Sequence, residues 1–446
     1  MEAALRGLRR RALLVSGIGF FTDAYDLFVI GIVSTLLKGQ WHLVARQLAL
    51  LNAVMLGAAF LGAMACGRLA DVIGRTRVYW ISAAVMVLAA IGSAFSPNLT
   101  ALVAFRFLLG FGVGGDYPVS AVLMSEYSHH TNRGRMIGLV FSAQAVGLII
   151  GPLTALALLG SGASSGLTWR LLLGLGAVPA AVAVWLRRTM PEPPRYQIRP
   201  SRQPGARRGR GVRELLASRT LLVTLVGTAG CWFLLDYAYY GNTISTPQII
   251  VLIAPHASQT ATIAIELAIF AVAAVPGYVL AIARMDRIGH RRLQFVGFVL
   301  MGACFAVIGL VPGMTTVVIP FLLAYGISYF FTEFGPNMTT FVLPGELFPT
   351  RLRATGHGIS AGVGKLGAFI GVFLFPVLQG TLGLRGTLLL TAGISVLGAL
   401  LTLVLPEPAG RTLEEISAEV DVVAEAEQAI RDAGESSAST SATGHD

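Results

Sequence analysis

Charge is scarce in this chain. Of its 446 residues, 13% are Asp, Glu, Lys or Arg, against roughly 25% in soluble domains, and 54% are hydrophobic. That balance excludes an ordinary water-soluble globule. Lysine is nearly absent: Lys38 and Lys365 are the two lysines among 33 basic residues. The three cysteines, Cys66, Cys231 and Cys304, sit inside apolar segments with neither metal-ligand nor disulfide spacing. They read as packing residues, and no metal site is expected. No nucleotide-binding loop, metal cluster or triad-like motif is found, which argues against ordinary enzymology.

What is there is apolar sequence in long stretches. A membrane span needs about 20 mainly apolar residues, and such stretches recur from LLVSGIGFF at Leu13 onward, separated by short charged loops. The expected spans are 12 to 37, 47 to 66, 77 to 96, 98 to 124, 136 to 160, 168 to 187, 220 to 250, 258 to 283, 293 to 312, 315 to 345, 354 to 380 and 384 to 405. The net charge of +10 does not mark a nucleic-acid surface, because the arginines fall in every second loop. Arg6, Arg9, Arg10 and Arg11 precede helix 1, Arg68, Arg75 and Arg77 follow helix 2, and Arg284, Arg287, Arg291 and Arg292 follow helix 8. This is the positive-inside pattern. It predicts a multi-pass cell-membrane protein (plasma or inner membrane) with both termini cytoplasmic and an even helix count. Helix 1 serves as its own insertion signal, with no cleavable signal peptide.

The expected organisation is a six-helix half over 1–187, a basic cytoplasmic linker over 188–219, a second half over 220–405, and a cytoplasmic tail over 406–446 that ends in disorder. The halves repeat. GRLADVIGRTRV from Gly67 has a weaker copy in ARMDRIGHRRL from Ala283, and Glu126 precedes Arg133 and Arg135 much as Glu346 precedes Arg351 and Arg353. Two parallel halves with these loops describe the major facilitator architecture, an all-α membrane fold of twelve helices. Asp71 with Arg75, Asp286, and the Glu126 and Glu346 clusters read as latches of a cytoplasmic gate.

Counting back from the two loop motifs aligns Asp23 with Asp236, Asp116 and Tyr117 with Asn337, and Gln144 with Lys365. Ionisable side chains inside spans are costly and point to function, and transporters of this architecture bind at the midplane between their repeats. Lys365, deep in SAGVGKLGAFIG, calls for an anion, shared with a neighbouring carboxylate. On helix 7, Trp232, Asp236 and Tyr240 stand at i, i+4 and i+8, one face of a helix. Their donors suit an oxyanion, and Asp236 accepts one that brings a proton of its own, as dihydrogen phosphate does and sulfate does not. Burial and neighbouring like charge favour the protonated form of a carboxyl. Asp23 and Asp116 are therefore expected to carry a coupling proton, with Asp26 beside them and Arg106 tuning Asp116. Glu266 and Glu333 also lie in or near spans, Glu333 four residues before Asn337.

These residues resemble the proton-coupled inorganic phosphate symporters of the major facilitator superfamily, as known from fungi and plants. The likeness runs over nearly all of 12–415, through GFFTDAYDLF, GVGGDYPVSAVLMSEY, GTAGCWFLLDYAYYGN, FGPNMTTFVLPGELFPTR and SAGVGKLGA. It implies phosphate contact by Tyr117, Gln144, Trp232, Asp236, Tyr240, Asn337 and Lys365, proton coupling through Asp23, Asp26 and Asp116, and no cofactor. Phosphate, protons and membrane lipids are the expected partners, nucleic acid is not, and a monomer is expected. The alternatives are a symporter of another small organic anion and a nutrient receptor that binds without carrying. A sugar porter is disfavoured because helix 7 lacks paired glutamines. GLIIGP from Gly147 is the one feature that favours an antiporter.

Overall fold

The computed structural model describes residues 2–73, 75–127, 133–188, 210–349, 352–412 and 415–416. Among these residues eleven helices are long and apolar enough to cross a membrane: α1 (Glu2–Trp41), α2 (Ala45–Ile73), α3 (Arg75–Ala94), α4 (Leu99–Tyr127), α5 (Arg133–Gly160), α6 (Ser165–Arg188), α7 (Arg219–Ile253), α8 (Gln259–Ile288), α9 (His290–Leu310), α10 (Val318–Leu347) and Arg353–Thr402. The last is two spans in one. Gly383 adopts φ +68° and ψ 173° inside it, a conformation open to glycine, and divides it into α11 (353–382) and α12 (384–402). The count is therefore twelve, six in each half.

Local chemistry sets many of the boundaries. Ser164, Ser218 and Ser258 accept backbone N–H bonds and start α6, α7 and α8. Several helices are interrupted: α5 at Ser142, α6 at Gly176, α8 by a π-helical turn over Phe270–Ala274, and α10 at Gly335. Gly176 has a packing reason, since a Cβ there would overlap the Asp26 carboxylate. Three boundaries differ from expectation by five residues or more. Helix α1 continues back to Glu2, well before residue 12, α2 runs seven residues beyond 66, and α8 runs five residues beyond 283. Most of the linker and tail lies outside the described residues; of the linker, Arg210–Ala217 is a short helix.

The outer faces of the bundle are apolar, with Leu88, Val272 and Ile319 exposed at 70%, 76% and 71%. In water such surface would be a liability; in lipid it is required. The halves meet where α2 packs on α11, α1 on α7 and α5 on α8. Gly57 faces Phe369, and Gly31 lies against the Ile244 carbonyl, where a Cβ would stand 2.7 Å from the oxygen. Within the second half, α7 and α11 approach through backbone. A Cβ on Gly367 would overlap Phe233 O, and one on Gly371 would overlap Tyr237 O.

Candidate functional site

Five of the seven expected substrate residues meet in one buried cluster. The Lys365 ammonium donates to Asp236 Oδ2 at 2.9 Å and to Tyr240 Oη at 3.0 Å. It also lies 4.6 Å from the Tyr117 ring centre and 4.3 Å from that of Tyr240. Tyr117 packs against Trp232, with centroids 6.4 Å apart. A charge this deep persists only with such partners, because breaking a buried pair costs about 3–5 kcal/mol. Lys365 thus has a carboxylate, a phenol and two aromatic faces around it. That set holds a cation in the absence of substrate and offers an anion both a positive charge and donors.

Asn337 stands next to this cluster in a network of its own. Its amide Nδ2 donates to Tyr278 Oη at 2.9 Å and to the Glu333 carboxylate. Gln144 is buried on α5, and among the described residues its Nε2 has no hydrogen-bond partner.

Two aromatic layers enclose the cluster, and composition alone did not single them out. Toward the face that carries α6's end and α7's start, Phe20, Phe141 and Phe341 pack edge-on and stacked, the Phe141–Phe341 centroids 4.6 Å apart. Trp232 and His357 join them around Phe341. Toward the opposite face, Phe28 of α1 stacks on Tyr240 of α7 at 5.4 Å and 7° and meets Tyr239 edge-on. Both layers join residues of the two halves. The site is closed on both sides.

In the first half, Asp116 accepts from Arg187 Nη2 at 2.6 Å, and Arg187 also donates to the Tyr79 carbonyl and lies 3.7 Å from the Tyr79 ring centre. This corrects the expected tuning of Asp116 by Arg106. Residues ten apart on one helix stand about 15 Å apart along its axis, and Arg106 instead donates to the Asp26 carbonyl at 2.7 Å. Arg187 also belongs to the interior, not to the edge of the linker; its neighbour Arg188 stacks outward over Trp80. In a tandem arginine pair, sequence does not say which member points inward. Among the described residues, both carboxylate oxygens of Asp23 and of Asp26 lack hydrogen-bond partners although fully buried. The electrostatic neighbours of Asp23 are Asp116, Arg187, Asp26 and Lys365, which links it to both clusters.

At the terminus-bearing face two of the residues expected in a gate, Arg133 and Glu346, form an ion pair. Arg133 Nε donates to Glu346 Oε1 at 2.8 Å, joining the halves, and Arg133 Nη2 donates to the Arg411 carbonyl. His290, a residue sequence reasoning passed over, faces Glu346 Oε2 with Nδ1 at 3.0 Å and Asp286 Oδ1 with Nε2 at 3.3 Å. Both bonds form together only with a doubly protonated ring. Asp286 Oδ2 accepts from the Arg135 backbone at 3.1 Å, so it is the backbone and not the side chain of Arg135 that engages. Arg353 is buried and donates to the Phe348 carbonyl at 3.2 Å, a bond within its own segment. The side chains of Asp71, Arg75 and Glu126, and Arg351 altogether, lie outside the described residues.

A bundle of two six-helix halves around a buried charged centre is the architecture of a membrane carrier. Residues 16–372 match the family model of the Major Facilitator Superfamily, and the chain belongs to that family, which is one of transporters and not of enzymes. Inorganic phosphate transporter 1-6 of Oryza sativa subsp. japonica is 36% identical, covering 93% of each chain. Low affinity inorganic phosphate transporter 4 of Medicago truncatula is 35% identical, over 92% of this chain and 91% of its own. Among solved structures, the proton:xylose symporter XylE bound to 6-bromo-6-deoxy-D-glucose superposes with a TM-score of 0.77 at 20% identity, covering 93% of this chain and 99% of that one. An inward open conformation of XylE from E. coli gives 0.70 at 21%. These two share the fold.

Proposed function

We propose that this protein imports inorganic phosphate together with protons, by alternating access, across the cell membrane. The observation that carries the reading is the Lys365–Asp236–Tyr240 cluster, enclosed by aromatic layers that each join the two halves. The relatives named as inorganic phosphate transporters supply the substrate class.

The chemistry follows from the donors and acceptors. Dihydrogen phosphate accepts from Lys365, Tyr240 and Tyr117 and donates its own hydroxyl proton to Asp236. Sulfate has no such proton, so Asp236 rejects it by repulsion. Asn337 and Gln144 add amide donors once the ligand is present. Asp23 and Asp116 take protons from outside and release them inside, with Arg187 stabilising the ionised form of Asp116 and Arg106 next to Asp26. Rocking of residues 1–187 against 220–405 opens one aromatic layer at a time. Arg133, Glu346, His290 and Asp286 lock the cytoplasmic side in the closed arrangement, with the termini and the 188–219 linker on that side. The basic linker lies on anionic lipid headgroups.

The test is radiolabelled phosphate uptake into proteoliposomes under an imposed inward proton gradient, with and without excess sulfate. Gradient-dependent, sulfate-insensitive uptake supports the reading. A folded, inserted protein that takes up no phosphate overturns it in favour of small organic anions, and binding without flux favours a receptor.

A further inference from the structure

The second half holds two buried carboxylates that the mechanism above does not use. Glu266 lies seven residues into α8 from the non-terminus face, about 10 Å deep, and Glu333 fifteen residues into α10, about 22 Å deep. Both side chains are buried, and among the described residues each keeps one carboxylate oxygen without a hydrogen-bond partner. A ladder of hydroxyls fills the space between their depths. Thr246 Oγ1 lies 3.1 Å from Tyr325 Oη and 3.0 Å from Tyr329 Oη, and Tyr329 donates to Thr243 Oγ1 at 3.0 Å. Beside Thr243 and Tyr329 is a small, mainly apolar cavity with room for about one water, bordered by Ala238, Met301 and Phe305 and by the polar groups of Tyr239, Asn242, Ser328 and Thr332. Among the described residues Asn242 Oδ1 and Tyr239 Oη have no hydrogen-bond partner.

The groups facing the two carboxylates are few. Glu266 has Tyr325 and Tyr329 of α10 as electrostatic neighbours; Glu333 has Tyr239 of α7, Tyr278 of α8 and Asn337 of its own helix. Among the described residues none of these neighbours is a cation. An unpaired buried carboxylate is costly when ionised, so each of these is a place where a proton rests, and hydroxyls, unlike amides or aliphatic groups, both give and take protons.

We propose that Glu266, the Tyr325–Tyr329–Thr246–Thr243 ladder and Glu333 form a second proton path, separate from Asp23 and Asp116, that delivers a proton from outside to the edge of the substrate site. Each step breaks one O–H bond at the donor and forms one at the next acceptor, and from Thr243 the proton crosses by one water in the cavity and Tyr239, which faces Glu333. The net result is a proton moved from Glu266 to Glu333 Oε1, with every hydroxyl restored. Neutral Glu333 no longer repels an anion at Lys365 and holds the Asn337 amide less tightly, so that amide turns to the ligand. The last step rests on the phosphate reading; the path itself does not.

The test uses the full chain in proteoliposomes, as wild type, Glu266→Gln, Glu333→Gln and Tyr329→Phe. One proton fewer per phosphate at a one-unit pH gradient lowers accumulation about tenfold, and this is expected for both Glu variants. Glu266→Gln is expected to keep wild-type phosphate counterflow, which moves no net proton and reports an intact site. Wild-type accumulation in both Glu variants would overturn the proposal. A wild type without phosphate flux would instead remove the phosphate reading. The path is then read by infrared carboxyl bands and their hydrogen–deuterium exchange, without any substrate. Loss of one exchangeable protonated-carboxyl band in each Glu variant, and exchange slowed about tenfold in Tyr329→Phe, support it. Spectra and exchange identical to wild type reject it.

Discussion

The two halves hold buried charge in opposite ways. In the second, the lone intramembrane lysine is neutralised at the centre, by Asp236 and Tyr240 four residues apart on one helix. In the first, the pairing arginine comes from the end of α6, so Asp116 is neutralised from the terminus face, while among the described residues the carboxylate oxygens of Asp23 and Asp26 have no hydrogen-bond partner. A pair shared along one helical face stays together when helices tilt. Carboxylates held from a distance, or not held, change their surroundings when the helices move. In the reading proposed above, the Lys365 centre of the second half grips the substrate, and Asp23 and Asp116 of the first half respond to protons, joined by Glu266 and Glu333 of the second.

The largest expected effect comes from Lys365→Ala. It leaves Asp236 buried without its cation, and phosphate uptake should drop by about a hundredfold or more, given the roughly 3–5 kcal/mol at stake. Uptake within a factor of a few of wild type would break the comparison at its stronger side. Next is Asp116→Asn, which strands Arg187. Thermal unfolding should reveal a stability loss of about 3–5 kcal/mol, and pH-driven accumulation should vanish. Adding Arg187→Gln sharpens the point: the double variant should regain most of the stability and none of the coupling, whereas regained coupling would make the pair purely structural. Glu346→Gln should weaken the contact to Arg133 and His290, raising labelling, from the terminus-bearing side, of a cysteine placed at residue 345 by about tenfold, for a charged hydrogen bond of about 1.5–3 kcal/mol. The smallest effect belongs to Gly364→Ala. Its methyl would stand 2.6 Å from Trp232 Cδ1 and push the indole, weakening phosphate affinity by roughly fivefold, an overpacking cost near the low end of that class.

How much of this was legible in the sequence follows from contrast. Asp23, Asp116, Asp236 and Lys365 stand out because charge in an apolar span has few innocent explanations, and the repeat supplied their depth. The aromatic layers did not stand out: Phe20, Phe141 and Phe341 in a span look the same whether they pack or close a path, and their roles depend on tertiary contacts between helices far apart in the chain. Arg187 was hidden by Arg188, and His290 by the arginines after it, since one turn of helix decides which of several adjacent polar residues points inward. The twelve-helix count was readable from hydropathy. The continuity of α11 into α12 was not, because it hangs on one glycine's backbone angle.

The glycine contacts between α7 and α11 bear on how tightly the carrier holds its cargo on each side of the membrane. With backbone against backbone at Gly367 and Gly371, these helices are tightly joined there and travel as a unit, so in the proposed mechanism Asp236, Tyr240 and Lys365 present the same grip to either compartment. Asymmetry in affinity between outside and inside would then be set by Tyr117 and Gln144, which ride on the other half, and by Asn337 beside Glu333.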